Sequence, residues 1–389
     1  MAGRGLGADA MAVRPRVVAA LAAQFRDLEA ADEGFDAAVE KLVASGSRPD
    51  DVAAFLFVAA KRSIIDTRRK SVREQRAIEG AVTLAEPAVI AFPEAVPDER
   101  LRLLFICCHP AIGLEARAML ALRIVLGVEV GAIASGFLLN VDAVRQRITR
   151  AKAKVGAAGI PFELPHRRNW GERVEAILLA LEQAYVAAYR EGARDELTAE
   201  VERLAEMLVD LLPDEPEARA LAALVLLARS RQAARGGGNI PLSEQDSALW
   251  DRERIERARA LLDAPFDGRP GRFRILALIH LTHARRAFGA STDWPAIVKL
   301  YDALATLDGG PTVAIARAVA MAQAGDAGAA LEALPEESHD YAPWHAARGD
   351  ILARLGRGDE ARAALERALS LTQGDGPRAL LRARLERLS

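Results

Sequence analysis

The sequence predicts an all-α fold built from several helical parts in series. Three observations point to it. Apolar residues make up 51% of the 389 positions while aromatics make up only 5%, and alanine, leucine, arginine and glutamate dominate, a helix-forming palette. Apolar positions recur at steps of three and four through most of the chain. No run of alternating β-branched residues would make a strand. A chain of this length can bury a large core and hold two to three domains. The net charge of −2 excludes a protein that is basic throughout, so any nucleic-acid surface must come from local charge patterning.

Taken in order, residues 1–13 are glycine-rich and patternless and are expected to be disordered. Arg14 and Arg16 precede an apolar run, Val17 to Ala23, that imitates a secretory h-region. It lacks a cleavage site and continues into Arg26, Asp27 and Glu29, so it reads as an amphipathic helix of a cytoplasmic protein. No stretch is apolar for long enough to span a membrane. From Arg16 to about Ser45 the helical pattern is strongly acidic, with Asp27, Glu29, Asp32, Glu33, Asp36 and Glu40. Ser45 to Asp50 is a loop by composition, and Pro49 with the two acids after it suits a helix start. The helix that follows, about Asp51 to Arg76, is apolar at first and ends in a basic tail carrying Lys61, Arg62, Arg68 and Arg69. Residues 77–97, with Pro87, Pro93 and Pro97, form a linker between two separate compact units. Further helices fall at about Asp98–Cys108 and Leu114–Leu126.

The stretch from Val128 to Val155 reads as a helix-turn-helix. Val130, Ile133, Ala134 and Phe137 share one face of a short first helix, and Asn140 is placed to cap the second. Val141, Val144, Ile148, Ala151 and Val155 give the second helix one buried stripe. Its other side carries Arg145, Arg147, Arg150, Lys152 and Lys154 with no acid between them, while Asp142 and Gln146 sit near the start. A recognition helix has this layout: polar readers at the N-terminal end, phosphate clamps beyond. A basic amphipathic helix packed on a short helix is the plain alternative.

The order of acidic helix, loop, apolar helix ending in KRSIIDTRRK, Pro-rich linker, LRLLFICCHPAI, helix-turn-helix and RAKAKVGAAGIPFELP resembles an extracytoplasmic-function sigma factor of the sigma-70 family. More narrowly, it is similar to the subgroup with a C-terminal tetratricopeptide-like extension. The resemblance implies sigma domain 2 over 14–76, a linker over 77–97, sigma domain 4 over 98–160, a second linker over 161–169 and a repeat-like regulatory domain over 170–389. It implies that Asp32, Glu33, Phe35 and Asp36 dock on core RNA polymerase, through its β′ clamp, with the β flap as a further contact. It implies that Ser47, Arg48, Lys61, Arg62, Arg68 and Arg69 hold the opened −10 strand of promoter DNA. Asn140, Asp142, Arg145, Gln146, Arg147, Arg150, Lys152 and Lys154 would then bind the −35 element. Two positions depart from the family pattern. Asp36-Ala37 stands where a glutamine and an acid are usual, and Phe55 where a tryptophan is usual, its ring expected to serve the core.

From Trp170 onward, helices come in pairs. The clearest is Tyr341–Leu355 with Asp359–Leu371, where Ala347, Gly349, Leu352, Ala361, Ala364, Leu365 and Ala368 are small or apolar contacts of the tetratricopeptide kind. Such an extension does no chemistry and is expected to take a ligand or protein regulator. Cys107, Cys108 and His109 lack further metal ligands, and His280 with His283 lacks a third, so packed positions are the better reading and no metal or cofactor is expected. Gly236–Gly238 and Asp308–Pro311 are turns, since no strand precedes them and no Lys-Ser/Thr follows. No catalytic constellation stands out and no enzyme is expected. Two rival functions remain: a helix-turn-helix regulator with a helical sensor, and a repeat scaffold whose basic helices are merely solvated.

Overall fold

The computed structural model describes the chain except residues 1, 47, 80–96, 138, 159, 161–170, 191–194, 236–241, 243–244, 267, 308, 337–339, 373–374 and 389. Among the described residues every regular element is helical, as the composition and periodicity predict. No described helix is long and apolar enough to cross a membrane. The chain divides into two compact units, Met1–Leu208 and Val209–Ser389.

The first unit contains α1 (Ala2–Phe25), α2 (Leu28–Ser45), α3 (Val52–Glu79), α4 (Pro97–Cys107), α5 (Leu114–Ile124), α6 (Val130–Gly136), α7 (Val141–Ala157), α8 (Gly171–Arg190) and most of α9 (Asp195–Leu211). Helix α1 starts at Ala2, where the composition predicts disorder over 1–13. Ala10 is fully buried, so tertiary packing outweighs the weak local helix propensity of a glycine-rich start. The single acidic pattern predicted over 16–45 is two helices. Arg26 breaks it with a left-handed φ of 52°, and the Asp27 carboxylate then accepts the Ala30 N–H at 3.0 Å to open α2. Asp51 opens α3 in the same way, accepting from Ala54 N at 2.9 Å.

Helices α1, α2 and α3 pack on one another around Val17, Leu21, Phe35, Leu42, Leu56 and Ile64, all buried. Gly34 permits this closeness: a Cβ there would lie 2.6 Å from Ile64 Cγ1 and 3.3 Å from the Ala60 carbonyl. Helix α5 packs against α1, α4, α6, α7 and α8. Residues 14–76 and 98–160, expected as separate compact units on a tether, therefore lie in one unit, with α2 against α7 and α1 against α4 and α5. Most of the proposed linker, and all of 161–169, falls outside the described residues.

The second unit contains α10 (Pro216–Arg229), α11 (Gln232–Arg235), α12 (Arg252–Asp263), α13 (Arg272–Ala284), α14 (Trp294–Ala305), α15 (Pro311–Gln323), α16 (Ala327–Glu332), α17 (Ala342–Arg354), α18 (Gly358–Leu371) and α19 (Asp375–Glu386), with short 3₁₀ turns at Ser247–Leu249 and Arg285–Phe288. Aspartates punctuate it. Asp251, Asp293 and Asp326 each accept the N–H three residues on, at 3.0 Å, opening α12, α14 and α16. Helix α10 is buried at ten of its fourteen positions, so it is a central strut and lacks an amphipathic face. Its Glu217 caps another helix, accepting from Phe273 N at 2.7 Å and Arg274 N at 3.2 Å. A Cβ at Gly271 would sit 2.4 Å from the Glu217 carboxyl carbon, so a larger residue there would have to push this capping carboxylate aside. Later pairs follow the tetratricopeptide pattern, α14 on α15, α15 on α16 and α17 on α18. The Gly236–Gly238 loop and Asp308 fall outside the described residues.

His280 and His283 occupy the inner side of α13. The His280 ring is half-buried and its Nδ1 lies 2.9 Å from Arg231 Nη2. Since a guanidinium only donates, Nδ1 accepts and the ring proton sits on Nε2. Burial, reinforced by Arg231, holds His280 well below the ordinary histidine value. Burial with Arg231 and Arg286 brings His283 to about 4. A base whose folded pKa is depressed contributes stability above its unfolded value, near 6.5, and that contribution drains as pH falls toward the folded value. The second unit should therefore melt at progressively lower temperature between about pH 6.5 and pH 4. Trp294, whose ring stands edge-on to His283 with centroids 5.2 Å apart, should report the change by fluorescence. His283→Phe should flatten the profile, and an equally steep profile in that variant would assign the loss elsewhere.

Candidate nucleic-acid interface

Asn140 builds the helix-turn-helix locally. Its Oδ1 accepts the Ala143 N–H at 2.7 Å and so starts α7 after the tight connection from α6, where Leu139 N–H meets the Ala134 carbonyl at 2.9 Å. Ile133 and Ala134 of α6 are buried, as are Val144, Ile148, Ala151 and Val155 of α7. Four of the five positions predicted for the stripe are buried; Val141, in the first turn next to the capping Asn140, is exposed instead. Leu138 lies outside the described residues.

Burying that stripe forces the opposite side of α7 outward. Asp142, Arg145, Gln146, Arg150 and Lys154 are exposed. Arg145 and Asp142 pair with each other across one turn at 3.2 Å, a solvent-exposed contact of little net strength. Arg150 and Lys154 make no ion pair among the described residues. Asn140 has its carbonyl oxygen committed to the cap, which leaves its amide N–H groups for other partners.

Two members of the predicted −35 set face elsewhere. Arg147 reaches α5 and pairs with Glu115. Lys152, its side chain only 11% exposed, turns to α2, 3.1 Å from Asp32 and 3.3 Å from Glu29. The sequence holds a signal for this: residue 152 lies four after buried Ile148 and so flanks the buried stripe rather than opposing it. Burial alone would lower the Lys152 ammonium, but Asp32 and Glu29 outweigh it and hold it above the usual lysine value.

The predicted polymerase set is likewise divided. Glu33 is exposed and Asp36 mostly so, whereas Phe35 is fully buried and Asp32 is only 7% exposed. Both pack on Arg14, which has no exposed surface at all. The guanidinium pairs with Asp32, lies 3.5 Å from Asp36 and stacks over the Phe35 ring at 5.3 Å. Burial would raise the Asp32 carboxyl, yet Arg14 and Lys152 prevail and leave it below the usual range. Asp36 shows the opposite balance: the desolvation of its half-covered carboxyl outweighs Arg14 and holds it above the usual range. Nothing in the periodicity marks Arg14 as interior, because its partner lies on the next helix.

A second basic track runs along α3. Phe55, Arg62 and Arg69 stand at intervals of seven, two helical turns, and all are exposed, so they form one stripe. Phe55 was expected in the core. It is instead 38% exposed, and Leu56 and Phe57 fill the interior, because residue 55 lies a third of a turn off the buried line Ala53, Leu56, Ala60, Ile64. Lys61 is half-buried beside this stripe. Arg68 is spent on the α1–α2 corner, donating to the Phe25 carbonyl at 3.2 Å, pairing with Asp27 at 3.3 Å and covering the Phe25 ring at 5.1 Å. Arg48 is largely exposed and meets Asp9 at 3.4 Å. Ser47 lies outside the described residues.

Comparison with known proteins adds three findings. Residues 173–266 match a family of unknown function, DUF6596, and residues 272–389 match a tetratricopeptide repeat-like domain. An uncharacterized protein of Rhizobium meliloti (strain 1021) is 38% identical over 401 residues, covering 97% of this chain and 95% of the relative. No solved structure matches the chain. Identity of that extent over both units means that the chain belongs to one family with this Rhizobium protein.

Proposed function

We propose that this protein is a sigma factor of the extracytoplasmic-function type, regulated by its helical-repeat extension. The observation that carries the reading is the outward row on α7, with Arg145 and Gln146 near a capped N-terminus and Arg150 and Lys154 beyond. This order matches a recognition helix that places readers at base edges and cations at phosphates. On this reading α7 enters the major groove of the −35 element. The Phe55, Arg62 and Arg69 stripe takes the opened −10 strand, an aromatic face for an unpaired base beside cations for its backbone. Exposed Glu33 and Asp36 meet the polymerase clamp. Both partners place the protein in the cytoplasm, and it carries out no catalytic reaction of its own.

The burial of Asp32 and Phe35 also favours a second reading, a regulator that binds duplex DNA unaided. Transcription from a promoter library by core polymerase, with and without the protein, separates the two. New transcripts starting at a shared two-element motif are expected of a sigma factor; a duplex shift with no redirected transcription would establish the regulator.

Either reading makes Arg150 and Lys154 phosphate clamps. Each alanine substitution should lower the slope of log affinity against log salt by about 0.9 and weaken all duplexes alike. A loss confined to one promoter, in a salt titration by anisotropy, would contradict the phosphate role.

A further inference from the structure

Two arginines without a countercharge meet where α4, α5 and α8 come together. Arg117 of α5 is only 9% exposed and Arg173 of α8 only 8%, yet neither makes an ion pair among the described residues. Both guanidiniums reach the end of α4 and the turn after it. Arg117 donates from Nε to the Ile112 carbonyl at 2.7 Å and from Nη2 to the Pro110 carbonyl at 3.0 Å. Arg173 donates from Nη1 to the Phe105 carbonyl at 3.4 Å, while its Nε, sealed from solvent, meets no acceptor. Carbonyl dipoles offset part of the cost of burying these cations, but two like charges held side by side still lack an anion.

The turn adds a third donor. The Ala111 N–H donates to His109 Nδ1 at 3.1 Å, so Nδ1 accepts and the ring proton sits on Nε2. Burial, then Arg173 and Arg117, hold this half-buried ring below the ordinary histidine value. Cys108 beside them supplies no charge, because burial outweighs both arginines and keeps its thiol protonated. The turn is open to solvent at Pro110 and Gly113. Gly113 starts α5 without a side-chain cap, which leaves the positive end of that helix uncovered by a side chain.

We infer that this corner binds a small phosphate monoester, its oxygens meeting the guanidiniums of Arg117 and Arg173 and the His109 Nε2–H. A guanidinium edge matches phosphate oxygens in shape and charge, and a monoester brings about two negative charges at neutral pH, one for each arginine. A duplex backbone offers one charge per phosphate and is too broad to reach side chains that are nine-tenths buried. The inference does not rest on the sigma reading, which places DNA on α7 and α3.

Calorimetric titration of the full-length protein with phenyl phosphate at constant ionic strength tests this. One saturable site is expected, with a dissociation constant of about 1 mM or tighter. The His109 ring, assigned by NMR through its loss in His109→Gln, should titrate at higher pH once the dianion is bound. Arg173→Gln should weaken binding about tenfold or more, and benzoate, a monoanion of similar shape, should bind about tenfold more weakly than phenyl phosphate. Arg173→Lys keeps the charge but loses the planar fork and should bind about threefold more weakly than the parent. No saturation by about 10 mM, an unmoved His109 titration, or unchanged binding by Arg173→Gln overturns the site. Should the glutamine variant fail to fold, unchanged binding by the lysine variant overturns it instead. Equal binding of benzoate removes the phosphate, and displacement of phenyl phosphate by a short DNA duplex at equal phosphate concentration would reassign the corner to the nucleic-acid backbone.

Discussion

Asp32→Ala should destabilise the first unit by about 3–5 kcal/mol, the cost of removing one partner from a buried ion pair. The size follows from what is left behind. Arg14 has no exposed surface and its Nε and Nη1 have no hydrogen-bond partner among the described residues, so without Asp32 its nearest carboxylate is Asp36 at 3.5 Å. Lys152 simultaneously loses the partner at 3.1 Å. Urea titration of the far-UV signal measures the loss. The companion variant Arg14→Met/Asp32→Leu removes both charges and should recover most of it, because a well-packed apolar pair often matches or exceeds a buried salt bridge. If the single variant costs under about 1 kcal/mol, the pair behaves as a surface ion pair and the buried arrangement around Arg14 is wrong. The pH dependence has a definite sign. Asp32 sits below its unfolded value, so its contribution is present above about pH 4 and lost as pH falls through the folded value.

Gly349→Ala should cost about 1–3 kcal/mol, the range for overpacking, although alanine is the better helix former by about 1 kcal/mol. The added Cβ would stand 2.7 Å from Leu365 Cγ and 3.2 Å from the Ala361 carbonyl, so α17 and α18 must separate. The carbonyl is backbone and cannot step aside. Leu365 can be trimmed. Leu365→Ala alone should cost about 2–5 kcal/mol, while the double variant should cost clearly less than the sum, a coupling expected of side chains in contact. Strict additivity in thermal melts would mean that the two helices do not meet at this point.

Local signals carried most of the secondary structure. Asn140 and Asp51 mark their helix starts because an N-cap is a contact over three residues, and the α7 stripe is legible because burial follows the helical period. The small-residue pairing of α17 and α18 shows in the sequence for the same reason. What escaped is non-local. Arg14 pairs with a residue 18 positions away and Lys152 with one 120 positions away. No periodicity encodes such meetings, so charges that looked solvated, or ready for DNA, turned out to satisfy each other. Phe55 was misplaced by a third of a helical turn, small in angle yet enough to move a ring from interior to surface. The Arg26 break carries neither glycine nor proline, and only Asp27, read as a cap, would have exposed it.

Cys107 and Cys108, at the C-terminal end of α4, are both fully buried. Burial pushes the Cys108 thiol up to about 12 and Cys107 well above its usual value, so the reactive thiolate is scarce while the fold is closed. A thiol reagent then meets this pair only during excursions in which α4 leaves its neighbours. The two sulfurs make an internal clock: their labelling rate in the untouched protein, divided by the rate at which the same reagent labels a free thiol, gives the fraction of time the first unit spends open. A partner that prises the unit apart will quicken that clock, and one that clasps it shut will slow it.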